Sequence, residues 1–191
     1  MGTVGRPTTP PMRTLLLAAL FAAAPALAQP FVAVQAGGAE FDLSGTGSAV
    51  VVDVRAHAPL TRVLAVEGGV AFSRTPQQFG DVTYLLPGVE IQAGVPLGGV
   101  VRPYVGLGLG AFIPVGGPED EVVEINGQTV VLGRDVDGEG ALVAAVGLDA
   151  ALTDRVVLRA AGRLRGTVGF DGPDFFGGTF SELTAGLGVR F

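Results

Sequence analysis

The sequence predicts an all-β fold: an eight-stranded, antiparallel, up-and-down β-barrel that crosses a membrane, preceded by a signal peptide. Three observations predict it. Apolar residues recur at every second position over most of the chain, the period of a strand with two unlike faces. Glycine, 31 of 191 residues, interrupts every apolar run, and charged residues make up only 16 %, below the roughly 25 % usual in soluble domains. The connections between apolar segments alternate short and long, the rhythm of a meander with turns at one end and loops at the other.

The N-terminus reads as an export signal. Arg6 and Arg13 precede the apolar run Leu15 to Ala24, and Ala26-Leu27-Ala28 is a small-x-small cleavage pattern. Residues 1–28 are therefore expected to be removed, leaving a barrel domain over 29–191 that starts at Gln29. Met12 with Arg13 makes an alternative start. The apolar run is too short for a retained span, and no later stretch reaches the roughly 18 apolar residues of a membrane helix. Cleavage leaves ten Arg against eighteen acids, a formal charge of −8.

Eight strands follow in order, at about 31–41, 47–58, 62–73, 81–95, 101–113, 139–151, 155–169 and 180–191. Each supplies the roughly 9–11 residues that a tilted strand needs to cross a bilayer. The second strand sets Val50, Val52, Val54 and Ala56 against Asp53 and Arg55. The third sets Leu64, Val66, Val70 and Phe72 against Glu67, and the fourth sets Val89, Ile91, Ala93 and Val95 against Glu90 and Gln92. In the fifth, Val101, Pro103, Val105, Leu107, Leu109, Ala111 and Ile113 oppose Gly106, Gly108 and Gly110, which leave room for arginines of neighbouring strands and let the sheet bend. The sixth opposes Leu142, Ala144, Val146 and Leu148 to Asp149. The seventh opposes Val156, Leu158, Ala160, Leu164 and Val168 to Arg159, Arg163, Arg165 and Thr167. The last sets Leu183, Ala185, Leu187, Val189 and Phe191 against Glu182, Thr184, Gly186, Gly188 and Arg190.

The short connections are Pro59-Leu60-Thr61, Pro96-Leu97-Gly98-Gly99 and Leu152-Thr153-Asp154; the longer ones run about 42–46, 74–80, 114–138 and 170–179. Outer-membrane barrels keep the short turns on the periplasmic side.

The polar face is thin, rich in glycine, and mixed in sign. It carries Asp53, Glu67, Glu90, Asp149 and Glu182 against Arg55, Arg102, Arg159, Arg163, Arg165 and Arg190. A narrow lumen requires such balance because unpaired buried charge is costly, while lipid tolerates little charge on the outer wall. These eleven residues are expected to form a charge network inside the barrel.

The longest loop, 114–138, is acidic, with Glu119, Asp120, Glu121, Glu124, Asp135 and Asp137 against Arg134. Within it, Asn126-Gly127 between β-prone runs at 122–125 and 128–132 predicts a hairpin above the barrel. It is a candidate binding loop for an extracellular ligand, such as a divalent cation or a basic partner. The plainer reading is a solvated loop. Asp171, Asp174, Phe175 and Phe176 mark the last loop as an interface anchor or adhesive tip. Tyr84, Tyr104, Phe72, Phe112, Phe170, Phe180 and Phe191 are expected to form sparse interface belts.

Several chemistries are excluded. The chain has no Cys, so disulfides and thiolate metal sites are out. It has no Lys and is acidic overall, so no nucleic-acid partner is expected. The single histidine, His57, lies beside a short turn, and Ser73 and Ser181 map to the opposite end, which leaves no Ser-His-acid arrangement. No catalytic residue, metal site or cofactor is expected.

These features resemble the small outer-membrane β-barrel family, the porin-like barrels similar to the transmembrane domain of outer-membrane protein A. The resemblance implies a place in the bacterial outer membrane, surrounded by its lipid. It also implies that the alternating C-terminal stretch, with Leu187, Val189 and Phe191, is the signal read by the barrel-assembly machinery. The leading functional reading is a non-enzymatic barrel with a plugged, charge-balanced interior and a structural or surface-interaction role. The alternatives are a narrow passive pore and a soluble lipocalin-like periplasmic binder, in which the apolar faces would line a cavity.

Overall fold

The computed structural model describes residues 29–41, 48–77, 80–116, 121–125, 128–132, 138–168 and 179–191. Ten strands form: β1 (Phe31–Phe41), β2 (Ser48–Pro59), β3 (Leu64–Gln77), β4 (Gly80–Gly94), β5 (Val101–Gly116), β6 (Glu121–Ile125), β7 (Gln128–Leu132), β8 (Glu139–Ala151), β9 (Val156–Thr167) and β10 (Thr179–Arg190). Eight close into a barrel in the order β1-β10-β9-β8-β5-β4-β3-β2, every pair antiparallel, while β6 and β7 pair only with each other. Closure leaves no strand edge to expose unpaired backbone in hydrocarbon.

The register sets the barrel's dimensions. Followed once around, Phe31, His57, Glu67, Glu90, Gly108, Val143, Arg165 and Phe180 lead back to β1 at Phe41, ten residues above the start. With about 3.3 Å per residue and about 4.8 Å between strands, that stagger tilts the strands by about 40° and gives a backbone radius of about 8 Å. A 12-residue strand such as β2 then rises about 30 Å, enough for the roughly 25 Å apolar band.

Alternation divides the two faces as expected, and burial shows which face is which. Val50, Leu107, Val146 and Leu187 stand exposed on the outer wall, whereas Asp53, Glu67, Arg159 and Arg163 are buried inside. The lipocalin-like alternative required the reverse and is overturned.

The turn end is closed by tight hairpins. In two of them a threonine hydroxyl accepts from the backbone ahead: Thr61 Oγ1 from Leu64 N at 2.9 Å, Thr153 Oγ1 from Val156 N at 3.0 Å. In the third, Gly98 and Gly99 take φ of 58° and 72°, a region that glycine enters without steric cost. At the loop end one expectation fails. Residues 74–77 and 80 belong to strands rather than to a loop, because β3 and β4 stay paired from Arg74↔Thr83 to Gln77↔Gly80. Backbone pairing continues past the last alternating apolar residue because it does not depend on the side chains. The predicted hairpin of the long connection forms as β6 and β7, with Ile125 opposite Gln128. Glu119, Asp120, Asp135 and Asp137, together with the Asn126-Gly127 turn and the Phe175-Phe176 tip, lie outside the described residues.

Bending this sheet into so small a cylinder brings backbones together at inward glycines. A methyl group on Gly186 would stand 1.9 Å from the Val34 carbonyl oxygen, whereas one on Gly38 would meet nothing nearer than 3.9 Å. Gly186→Ala is expected to cost at least the roughly 1–3 kcal/mol of overpacking, and Gly38→Ala almost nothing. Urea midpoints of the two variants in detergent check this; equal midpoints would sink it.

Candidate functional site

The inward positions of β2, β3, β4, β5, β8, β9 and β10 converge on one axis, and the small radius buries their side chains against one another. The eleven charged residues singled out from the sequence are all buried there. The structure brings ten of them into one network, Arg159 Nε lying 3.5 Å from Asp149 Oδ1, and sets Arg190 apart near the turns.

Arg163 on β9 is the hub. Its Nε donates to Glu90 Oε1 at 2.8 Å, its Nη2 to Glu67 Oε1 at 2.8 Å, and its Nη1 to Asp53 Oδ2 at 3.0 Å and Glu182 Oε1 at 3.3 Å. A planar guanidinium presents five donors in a fixed fork, which lets one side chain engage carboxylates from four strands. Arg55 Nε donates to Asp53 Oδ1 at 2.7 Å, and Arg165 Nη2 to Glu182 Oε1 at 3.2 Å. Nearer the turns, Arg159 pairs with Glu67 and donates to the Tyr104 hydroxyl at 3.1 Å and to Gln92 Oε1 at 3.4 Å. Arg102 Nη1 donates to Asp149 Oδ2 at 3.2 Å. Among the described residues Arg190 engages no carboxylate within bonding distance; its Nη1 donates to the carbonyls of Thr153 and Asp154 at 3.1 and 3.3 Å.

Above this network, toward the loops, the interior turns apolar. Val51, Leu86, Tyr84, Phe112 and Phe180 form a buried cluster with Ala39, Ala49, Ala71 and Ala141. Phe112 and Phe180 meet edge to face at 5.9 Å. This corrects the expected aromatic belts: Tyr84, Tyr104, Phe112 and Phe180 lie inside the barrel, and only Phe72 and Phe191 stand on the outer wall. Phe170 lies outside the described residues. The signal was present in the sequence, since Tyr84 shares the parity of Glu90, Tyr104 that of Arg102, and Phe180 that of Glu182. Residue type outweighed position in the expectation.

The same parity would have added Gln35 and His57 to Gln92 and Thr184, which the polar face already held. Gln92 serves Arg159, Thr184 Oγ1 donates to Gln35 Oε1 at 3.2 Å, and His57 stacks on Phe31 with ring centroids 4.6 Å apart. His57 Nδ1 lies 3.7 Å from Glu67 Oε2, in a wall of aromatic and charged side chains. The glycines of β5 make the space as expected, but for mixed neighbours: Gly106 faces Glu90 and Gln92, Gly110 faces Arg165, and Gly108 approaches the Val89 carbonyl instead.

Leu187, Val189 and Phe191 sit on the outer wall at the turn end of β10, Phe191 being 77 % exposed. Glu121 and Glu124 fall on β6. Among the described residues no group of three or more His, Cys, Asp or Glu is arranged to hold a metal ion.

A closed barrel, apolar outside and packed with paired charge inside, defines an integral membrane β-barrel. Residues 14–191 match the outer membrane protein beta-barrel domain model, and the chain belongs to that family. Among solved structures it is similar to Neisserial surface protein A (19 % identity, 85 % of this chain and 97 % of that one, TM-score 0.61). It is also similar to the outer membrane protein OprG from Pseudomonas aeruginosa (13 % identity, 86 % and 96 % covered, TM-score 0.50). At these identities the likeness concerns the fold. The chain matches no curated protein sequence. The protein is an outer-membrane β-barrel with a plugged, charge-balanced interior, and its apolar wall contacts the lipid of the bacterial outer membrane.

Proposed function

We propose that the protein is a non-enzymatic surface barrel: a rigid, closed scaffold that strengthens the envelope and presents its loop end to the exterior. The filled interior carries this reading. Arg55, Arg159 and Arg163 with Glu67, which any water path would have to pass, are buried against one another beneath an apolar layer. Pore function needs a hydrated route, and paired charge under apolar side chains opposes one. Function is thereby left to the loops, of which the acidic 114–138 connection with its β6–β7 hairpin is the candidate for an extracellular ligand.

Two measurements test this together. The protein in planar bilayers is expected to show no steady conductance, and protease added to intact cells is expected to cut within 114–138. A stable open channel would overturn the plugged reading in favour of a pore. Protection of 114–138 in intact cells would overturn its surface role.

Assembly follows from the two ends of the chain. The N-terminal 28 residues act as the signal, and the outward stripe Leu187, Val189 and Phe191 is the segment that the assembly machinery grips. Phe191→Ala is expected to lower the outer-membrane level several-fold while export continues, and the assembled protein's mass should begin at Gln29. Unchanged membrane levels would remove Phe191 from that role.

A further inference from the structure

The unpartnered donors of the charge network concentrate on two arginines. Arg55 uses Nε on Asp53, but its Nη1 and Nη2 have no hydrogen-bond acceptor; Glu90 Oε1 is 3.5 Å from Nη1. Arg165 uses Nη2 on Glu182, while its Nε and Nη1 have none. Both side chains are fully buried. Orphaned donors at such depth are costly, and here four nitrogens on two cations share the deficit.

The two head groups reach the same place. A methyl group built on Gly88 would lie 3.4 Å from Arg165 Nη1 and 3.6 Å from Arg55 Nη1; one on Gly110 would lie 3.2 Å from Arg165 Nη1. Arg55 comes from β2 and Arg165 from β9, so two like charges from different walls face one glycine-bordered point. The acids nearest them are shared: Asp53, Glu90 and Glu182 all engage Arg163, and Glu182 meets Arg165 through Oε1 alone. Pro87 stands beside this point without an amide N–H, and the β4–β5 ladder skips Leu86 and Pro87 between Leu85↔Ile113 and Gly88↔Gly110.

We propose that Arg55 and Arg165 together hold a small monovalent anion, chloride in solution, against Gly88 and Gly110 in the barrel core. A spherical anion accepts from several directions at once, which suits donors arriving from two walls. It also offsets the repulsion between two guanidiniums in a medium of low dielectric. The carbonyls of Pro87 and Leu109 and the Val143 side chain crowd the glycines, so the site fits a single atom better than a tetrahedral oxyanion. It lies directly below the apolar cluster, so the anion is trapped during folding and exchanges slowly.

The protein is therefore folded into detergent in sodium bromide, and crystals are measured at the bromine edge. One anomalous peak in contact with both guanidiniums is expected. A second measurement needs no crystal: the thermal midpoint after folding in chloride or bromide should exceed that in gluconate of equal ionic strength by several degrees. Gly88→Ala, whose added methyl would make only ordinary contacts, is expected to fold and to lose most of that difference. Water at the site with no anomalous signal, or equal midpoints in chloride and gluconate, would overturn the proposal. A full anion effect in Gly88→Ala would place the anion elsewhere and overturn it too.

Discussion

Arg163→Ala is expected to be the most damaging single substitution in the barrel interior. The guanidinium touches Asp53, Glu67, Glu90 and Glu182, and its removal leaves these carboxylates buried with fewer partners. Breaking one buried ion pair from one side costs about 3–5 kcal/mol. Here four partners lose a donor together, so a loss of at least that size is expected, a large share of the roughly 5–15 kcal/mol that holds a domain folded. The urea midpoint in detergent should fall sharply, and the folded form should lose its resistance to heating on a denaturing gel at a lower temperature. Arg163→Lys should fall between, because an ammonium keeps the charge without the planar fork. Arg155→Ala, at an exposed turn, is the control and should stay within about 0.5 kcal/mol of the parent. An Arg163→Ala midpoint equal to that control would mean that the network adds nothing to stability.

The second large effect is expected on the opposite face. Leu107 points away from the axis near the middle of β5 and is 72 % exposed. On a soluble surface, Leu107→Arg would be neutral or helpful. In a bilayer midplane it should cost about 2–4 kcal/mol, whereas Val100→Arg, beside the turn end, should cost about 0–1 kcal/mol. Reversible unfolding from lipid vesicles reads the difference, and folding in detergent should narrow it. Equal costs at the two positions would contradict the placement of the apolar band around mid-strand.

The physics behind these predictions runs in opposite directions across one strand thickness. Outward side chains need only be apolar, so Val, Leu, Ile and Ala are interchangeable there to first order. Inward side chains are individually constrained, because about 8 Å of radius must be filled by groups that satisfy one another. Buried ion pairs of this kind are weak contributors compared with apolar packing of the same volume. Their removal one at a time is nevertheless expensive.

Most of the architecture was legible in the sequence because the strand period is two and the two faces meet different solvents. Eight alternating segments, three short turns, the pairing of β6 with β7 and the membership of the interior charge set all follow from parity and turn chemistry. The strand ends were less legible. Pairing past Phe72 to Gln77 depends on backbone hydrogen bonds, which carry no side-chain signature. The aromatic residues were misplaced for another reason: Tyr84, Phe112 and Phe180 suit an interface by type, yet their parity puts them on the axis.

Alternation by itself determined that this chain forms strands with one apolar and one charged face, and the structure decided that the apolar face is the outer wall and the charged face the lumen. Only the tertiary structure decided who meets whom. The ten-residue stagger sets Glu67, Glu90, Asp53 and Glu182 around Arg163, and brings Arg55 and Arg165 together at Gly88. Those groups lie on separate strands, and nothing local in sequence encodes the offset at which a closing sheet aligns them.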